Sequence, residues 1–120
     1  MLRIVLDTNI LVSATIPKGK PRDLLKLAIG KRYLLIKSNE IIEEFVGVLQ
    51  RPKFKMTRNE VIRARNILSK TGKTIKVTSK RTLVEEDPDD DIFINTALDG
   101  NADYIVSGDP ICSLSQITKA

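Results

Sequence analysis

Residues 1–10 read MLRIVLDTNI, and the fold turns on how this stretch is read. The run 2–6 (LRIVL) is apolar-rich with no regular polar alternation, which predicts a strand covered on both faces. It passes straight into Asp7-Thr8-Asn9 and then into ILVSA, the expected start of a short helix. A carboxylate between two apolar runs gives up hydration that hydrogen bonds, a cation or a helix N-terminus must replace.

Working outward, the same alternation of strand and helix signals recurs. Pro21 suits the first turn of a helix whose Leu24, Leu25, Leu27 and Ala28 form an apolar stripe, with Gly30 near its end. Residues 33–36 (YLLI) predict a second strand. Ser38 then caps a helix that places Ile41, Ile42, Phe45, Val48 and Leu49 on one face, and Arg51-Pro52 closes it. Thr57 followed by Glu60 is a capping box, so another helix runs from about residue 58 to 71 and stops at Gly72. Residues 74–78 (TIKVT) alternate and predict a more exposed strand. Asp87-Pro88 opens a helix reaching Asp99 with Gly100 as its stop, and 104–106 (YIV) is a fourth strand leading into Ser107-Gly108-Asp109. Strands alternating with helices predict an α/β fold with a mainly parallel sheet of four to five strands, covered on both faces.

Composition limits the chemistry. A chain of 120 residues with 42% hydrophobic and 29% charged residues is expected to form one domain, spanning 1–120. No apolar run approaches the ~20 residues that cross a bilayer. Arg3 is followed by only three apolar residues before Asp7, so no signal peptide is expected and the cytoplasm is the default location. The single Cys112 excludes an internal disulfide and argues against a thiolate zinc site. Histidine is absent, which removes Ser-His-Asp and Cys-His catalysis, His-ligated zinc and histidine general bases.

Charge is unevenly spread. The net charge is +5, yet residues 51–81 hold eleven Lys or Arg against one acid, Glu60, a local net of +10. So dense a cationic segment either solvates a helix hairpin or attracts phosphates. Arg51, Lys53, Lys55, Arg58 and Arg65 are the candidate nucleic-acid contacts. Aromatic residues make up 4% of the chain, so base stacking cannot be the main mode of binding.

In parallel α/β sheets function gathers at the carboxyl ends of the strands. Asp7 follows the first strand and Asp109 the fourth; Glu40, Glu43 and Glu44 lie near the start of one helix, and Asp87, Asp89, Asp90 and Asp91 near the start of another. Each acid alone is explained by capping or by the helix dipole. Together they repel: two carboxylates ~5 Å apart at an effective dielectric near 20 cost about 3 kcal/mol. A cation relieves that repulsion, and oxygen ligands without Cys or His select Mg²⁺ or Mn²⁺. Such an ion also acidifies water, supplying what histidine would otherwise provide.

Three segments, IVLDTNILVSA, SNEIIEEFVGVLQRPKF and DPDDDIFINTALDGNADYIVSGD, give the chain a resemblance to PIN domains of the VapC-like toxin ribonucleases found in toxin–antitoxin pairs. The resemblance covers nearly the whole chain. It implies a three-layer α/β/α sandwich and Mg²⁺- or Mn²⁺-dependent endoribonuclease activity. The family's acidic quartet maps onto Asp7, Glu44, Asp90 and Asp109 as catalytic and metal residues. Asp91 is a further candidate metal ligand, and Thr8, Asn9 and Ser107 match positions that hold the acids or the metal's water. The implied partners are an RNA substrate, a cognate antitoxin and a second copy in a homodimer. PICSLSQITKA is all that follows the SGD segment, so the last strand is expected to be short or missing.

Helix spacing agrees with that mapping. Glu44 falls at the border of the Ile41–Leu49 apolar stripe and Glu43 points away from it. In the later helix, a face set by Phe93, Ile94, Ala97 and Leu98 selects Asp90 over Asp89 and Asp91. Two other functions compete. One is a PIN-like nucleic-acid-binding module without catalysis. The other is an aspartyl-phosphate enzyme or receiver, which Asn9 two residues after Asp7 and the lack of a lysine near Asp109 argue against.

Overall fold

The computed structural model describes residues 1–16, 19–78, 90–106 and 117–119, with the backbone alone at 90, 91 and 117–119. In chain order the elements are β1 (Arg3–Leu6), α1 (Thr8–Ser13), α2 (Lys20–Ile29), β2 (Leu34–Ser38), α3 (Asn39–Leu49), a 3₁₀ turn (Pro52–Phe54), α4 (Arg58–Lys70), β3 (Lys73–Ile75), α5 (Asp90–Asp99), β4 (Tyr104–Val106) and β5 (Ile117–Lys119). The strands form one sheet in the order β3-β2-β1-β4-β5. β1 through β4 are parallel, and β5 adds to β4 antiparallel, with Val106 opposite Ile117. This is the expected α/β sandwich with a mainly parallel sheet, and the last strand is short but present.

Burial follows position in the sheet. β1 and β2 lie inside it, so Val5, Leu6, Leu35 and Ile36 are all within 1% of complete burial. β3 is an edge strand of three residues, shorter than the alternation over 74–78 suggested, and mostly exposed. Ile41, Ile42, Phe45 and Leu49 bury the inner face of α3, as their spacing predicts. Thr57 and Glu60 form the capping box reciprocally at the start of α4. Beyond α4, Gly72 takes φ +72, and a Cβ there would collide with the carbonyl of Leu35. Only glycine lets the chain pass so close to β2 while turning into β3.

Two faces differ from the sequence expectation. Leu27 of α2 is 46% exposed, and Leu98 of α5 is 41% exposed. The inner face of α5 is made instead by Phe93, Thr96 and Ala97, with Asn95 also buried. Apolar spacing misplaced this helix because Thr96 meets its hydrogen-bonding needs inside the protein: its hydroxyl donates to Ile92 O at 2.7 Å and lies 2.8 Å from Ser38 Oγ. A paired polar residue can hold a core position that hydropathy alone gives to a leucine.

The amino edge of the sheet is fastened by Arg3. Its Nε donates to Gly100 O at 2.8 Å and its amide donates to Asp103 Oδ2 at 2.9 Å. The turn between α5 and β4 is thereby fixed to the start of β1.

Candidate active site at the carboxyl edge of the sheet

Asp7 leaves the sheet where β1 ends. Its amide donates to Val106 O at 3.1 Å, extending the β1–β4 ladder by one step. Its Oδ1 accepts from the amide of Ile10 at 2.9 Å and caps α1. The cap at the N-terminus of α1 is what accommodates the charge between the apolar runs, while the bond from the Asp7 amide fixes the backbone. Together they place Asp7 at the joint carboxyl end of two neighbouring parallel strands. Thr8, the next residue, is buried, and its Oγ1 has no hydrogen-bond partner among the described residues. Asn9 is exposed.

α3 starts where β2 stops, with Ser38 serving as the last residue of the strand and the N-cap of the helix. Along α3, Glu40 and Glu43 are exposed, whereas Glu44 is half-buried with its Oε2 shielded from solvent. The helix phase read from the apolar spacing therefore holds: Glu44 borders the packed face and Glu43 faces water. α1 packs on α3, which brings the helix capped by Asp7 against the helix carrying Glu44.

α5 begins at Asp90 with Asp91 beside it, and it packs against β1, β2, β4 and α3. Asp87, Asp89, Ser107 and Asp109 lie outside the described residues, as does Cys112. Among the described residues no three acidic, histidine or cysteine side chains gather in one place. The donors that are described are all oxygens: the carboxylates of Asp7 and Glu44, and the unpartnered hydroxyl beside Asp7. That chemistry suits a hard divalent cation and is unsuited to zinc held by nitrogen or sulfur.

The basic residues surround a different surface. Arg51, Lys53, Lys55, Arg58 and Arg65 are all exposed. Lys53 stands over the ring of Phe54 with its Nζ 5.1 Å from the centroid, a cation–π contact within one turn of chain. Arg58 and Arg65 line a groove of about 770 Å³ between α3 and α4, together with Val46, Met56, Val61 and Ile62. Glu43 lines it too, so the groove reaches the residue next to Glu44.

Sequence reasoning did not single out Lys37. It is 1% exposed, donates from Nζ to Thr71 O at the end of α4, and burial lowers its pKa from 10.5 to about 8. The signal was a lysine inside a strand, LLIKS, that is otherwise buried. Ser38 was read as a cap only, and Thr96 was not singled out. The signal for Thr96 was a hydroxyl three residues from Phe93, hence on the same helix face.

A family model described as the PIN domain matches residues 3–110. The chain belongs to the PIN domain family. The match encloses Asp7, Glu44, Asp90 and Asp109, and a PIN domain is a nuclease-type fold. Comparison with curated proteins gives no match. No helix among the described residues of this PIN domain is long and apolar enough to cross a membrane.

Proposed function

We propose that this PIN domain is a metal-dependent endoribonuclease that hydrolyses RNA phosphodiester bonds, acting as the toxin of a toxin–antitoxin pair. The observation that carries the proposal is the placing of two acids. Asp7 is fixed at the carboxyl ends of β1 and β4, and Glu44 alone among the acids of α3 turns inward. Asp90 at the start of α5 and Asp109 after β4 complete the quartet, with Asp91 as a further candidate ligand.

These four carboxylates would hold Mg²⁺ or Mn²⁺. Bound there, the ion supplies positive charge for the phosphoryl oxygens and lowers the pKa of the attacking water. The chain's own residues do the rest. The α1 cap holds the Asp7 carboxylate in one orientation, and packing of α3 does the same for Glu44. Thr8, Asn9 and Ser107 would hold the acids and the water by hydrogen bonds. Arg51, Lys53, Lys55, Arg58 and Arg65 neutralise phosphates of the bound strand rather than stack on its bases, since the described lining of the α3–α4 groove contains no aromatic side chain. A cognate antitoxin and a homodimer are the expected protein partners, and the cytoplasm the expected compartment.

The test begins from metal-free protein. Cleavage of a fluorescent RNA should vanish in EDTA and return with Mn²⁺, and calorimetry should show Mn²⁺ binding that Asp7→Asn weakens. Full cleavage in EDTA would sink the metal mechanism. Absence of both Mn²⁺ binding and cleavage would point to the binding module without catalysis.

A further inference from the structure

Two buried hydroxyls join the helix that carries Glu44 to the helix that begins at Asp90. Ser38 and Thr96 are both completely buried, and their oxygens lie 2.8 Å apart. The direction of this bond follows from proton counting. Thr96 Oγ1 donates its one proton to Ile92 O at 2.7 Å, and Ser38 Oγ accepts from the amide of Ile41 at 3.4 Å. Each hydroxyl carries a single proton, so Ser38 donates and Thr96 accepts. The result is a one-way relay from the first turn of α3, through Ser38 and Thr96, to a carbonyl in the first turn of α5.

We infer that Ser38 and Thr96 are positioning residues for the metal site, setting the distance between Glu44 and the start of α5. The inference rests on the proposed metal-dependent reading of that site. Its physical basis is the directionality of the bond between the two hydroxyls. Apolar contacts between α3 and α5 tolerate small slides, because dispersion is non-directional and spread over many atoms. A hydrogen bond between two buried hydroxyls tolerates far less, since breaking it leaves both without solvent to replace the partner. Ser38 is also the point at which β2 becomes α3. A shift there would swing Glu44, six residues further on, relative to the sheet edge where Asp7 is held.

Partners that orient ligand-bearing groups change metal affinity by roughly 10- to 100-fold when removed. Thr96→Val keeps the shape and deletes the relay, so Mn²⁺ binding by calorimetry should weaken by about tenfold. Thr96→Ser restores the hydroxyl and should stay within about twofold of the wild type, although it loses a methyl group. Tyr33→Phe is the control: it removes the bond from Tyr33 Oη to Leu24 O, outside the relay, and should leave Mn²⁺ affinity unchanged. If Thr96→Val fails to fold, Ser38→Ala cuts the relay while leaving the bond from Thr96 to Ile92, and the same loss is expected. Wild-type affinity in folded Thr96→Val, or an equal loss in Tyr33→Phe, would overturn the inference. Should the wild type itself bind no Mn²⁺, the proposed function fails, and amide exchange decides the relay alone. Thr96→Val should then speed exchange at Ile41 without speeding it along α4, and unchanged exchange at Ile41 would sink it.

Discussion

Replacing Lys37 by methionine should remove a pH dependence of stability that the wild type must show. The Lys37 side chain is 1% exposed, and burial lowers its pKa from 10.5 to about 8. The folded state therefore disfavours the charged form. Below about pH 8 the wild type bears the full cost of keeping that charge buried, and stability rises as pH climbs from there toward the unfolded value. For a folded pKa of about 8 and an unfolded one of 10.5, the gain from about pH 7 to pH 9.5 is about 2 kcal/mol. With an ordinary denaturant slope this moves the urea midpoint upward by about 1 M. The buried hydroxyl of Tyr33 works in the opposite sense. Burial raises its pKa above the ordinary 10, so folding is penalised once the unfolded tyrosine ionises. Measurements should therefore stop short of pH 10, and both proteins share what remains of that effect. Urea unfolding followed by circular dichroism at intervals from about pH 7 to 9.5 gives the comparison. The wild-type midpoint should rise with pH while that of Lys37→Met stays level. Parallel curves for the two proteins would refute the claim that Lys37 is the titrating group.

Single substitutions along α3 test the helix phase: Glu44→Gln should abolish cleavage at saturating Mn²⁺, whereas Glu43→Gln, altering an exposed side chain, should retain most of it. RNA affinity of the Asp7→Asn protein should fall steeply with salt, and Arg58→Glu with Arg65→Glu should flatten that slope by about two counterions' worth. An unchanged slope would mean that the α3–α4 groove takes no part in phosphate binding.

Much of the architecture was legible because apolar spacing and capping agreed along the chain. The LRIVL run, the Ser38 and Thr57 caps and the face of α3 all appear where the sequence places them. Strand ends were less legible. β2 runs on through Lys37 and Ser38, two polar residues that a hydropathy pattern assigns to a loop. They belong to the strand because each has a buried partner, which sequence spacing does not reveal. The phase of α5 was misread for the same reason, with Thr96 taking the inward position given to Leu98. The phase of α3 was legible, since an acid at the border of an apolar stripe is a geometric statement. Asp89, which was set aside in favour of Asp90, and Asp109 lie outside the described residues.

Lys37 and Ser38 together show how the fold holds the sheet edge of the candidate site. Neighbouring residues of a strand point to opposite faces of the sheet. Lys37 accordingly reaches Thr71 at the end of α4, while Ser38 reaches Thr96 on α5. The carboxyl end of β2 is thus secured on both faces by polar bonds that have no solvent to compete with them. The cost is that Lys37 must give up hydration of its charge, which a leucine or methionine in its place would avoid. Such a cost is tolerable where the position of the chain matters more than the strength of the core. α3 departs from this point, and the packing of α3 decides that Glu44, not Glu43, turns inward. β1 reaches the same edge by a different device, with Asp7 bonded through its amide to β4 and through its carboxylate to α1. Directional bonds thus fix the two chain exits that precede Asp7 and Glu44, leaving the hydrophobic core to supply bulk stability. A variant that weakens the core should lower the melting temperature and spare metal affinity. One that cuts the bonds at Ser38 should lower both, because the lost cap and buried bond cost stability as well as position.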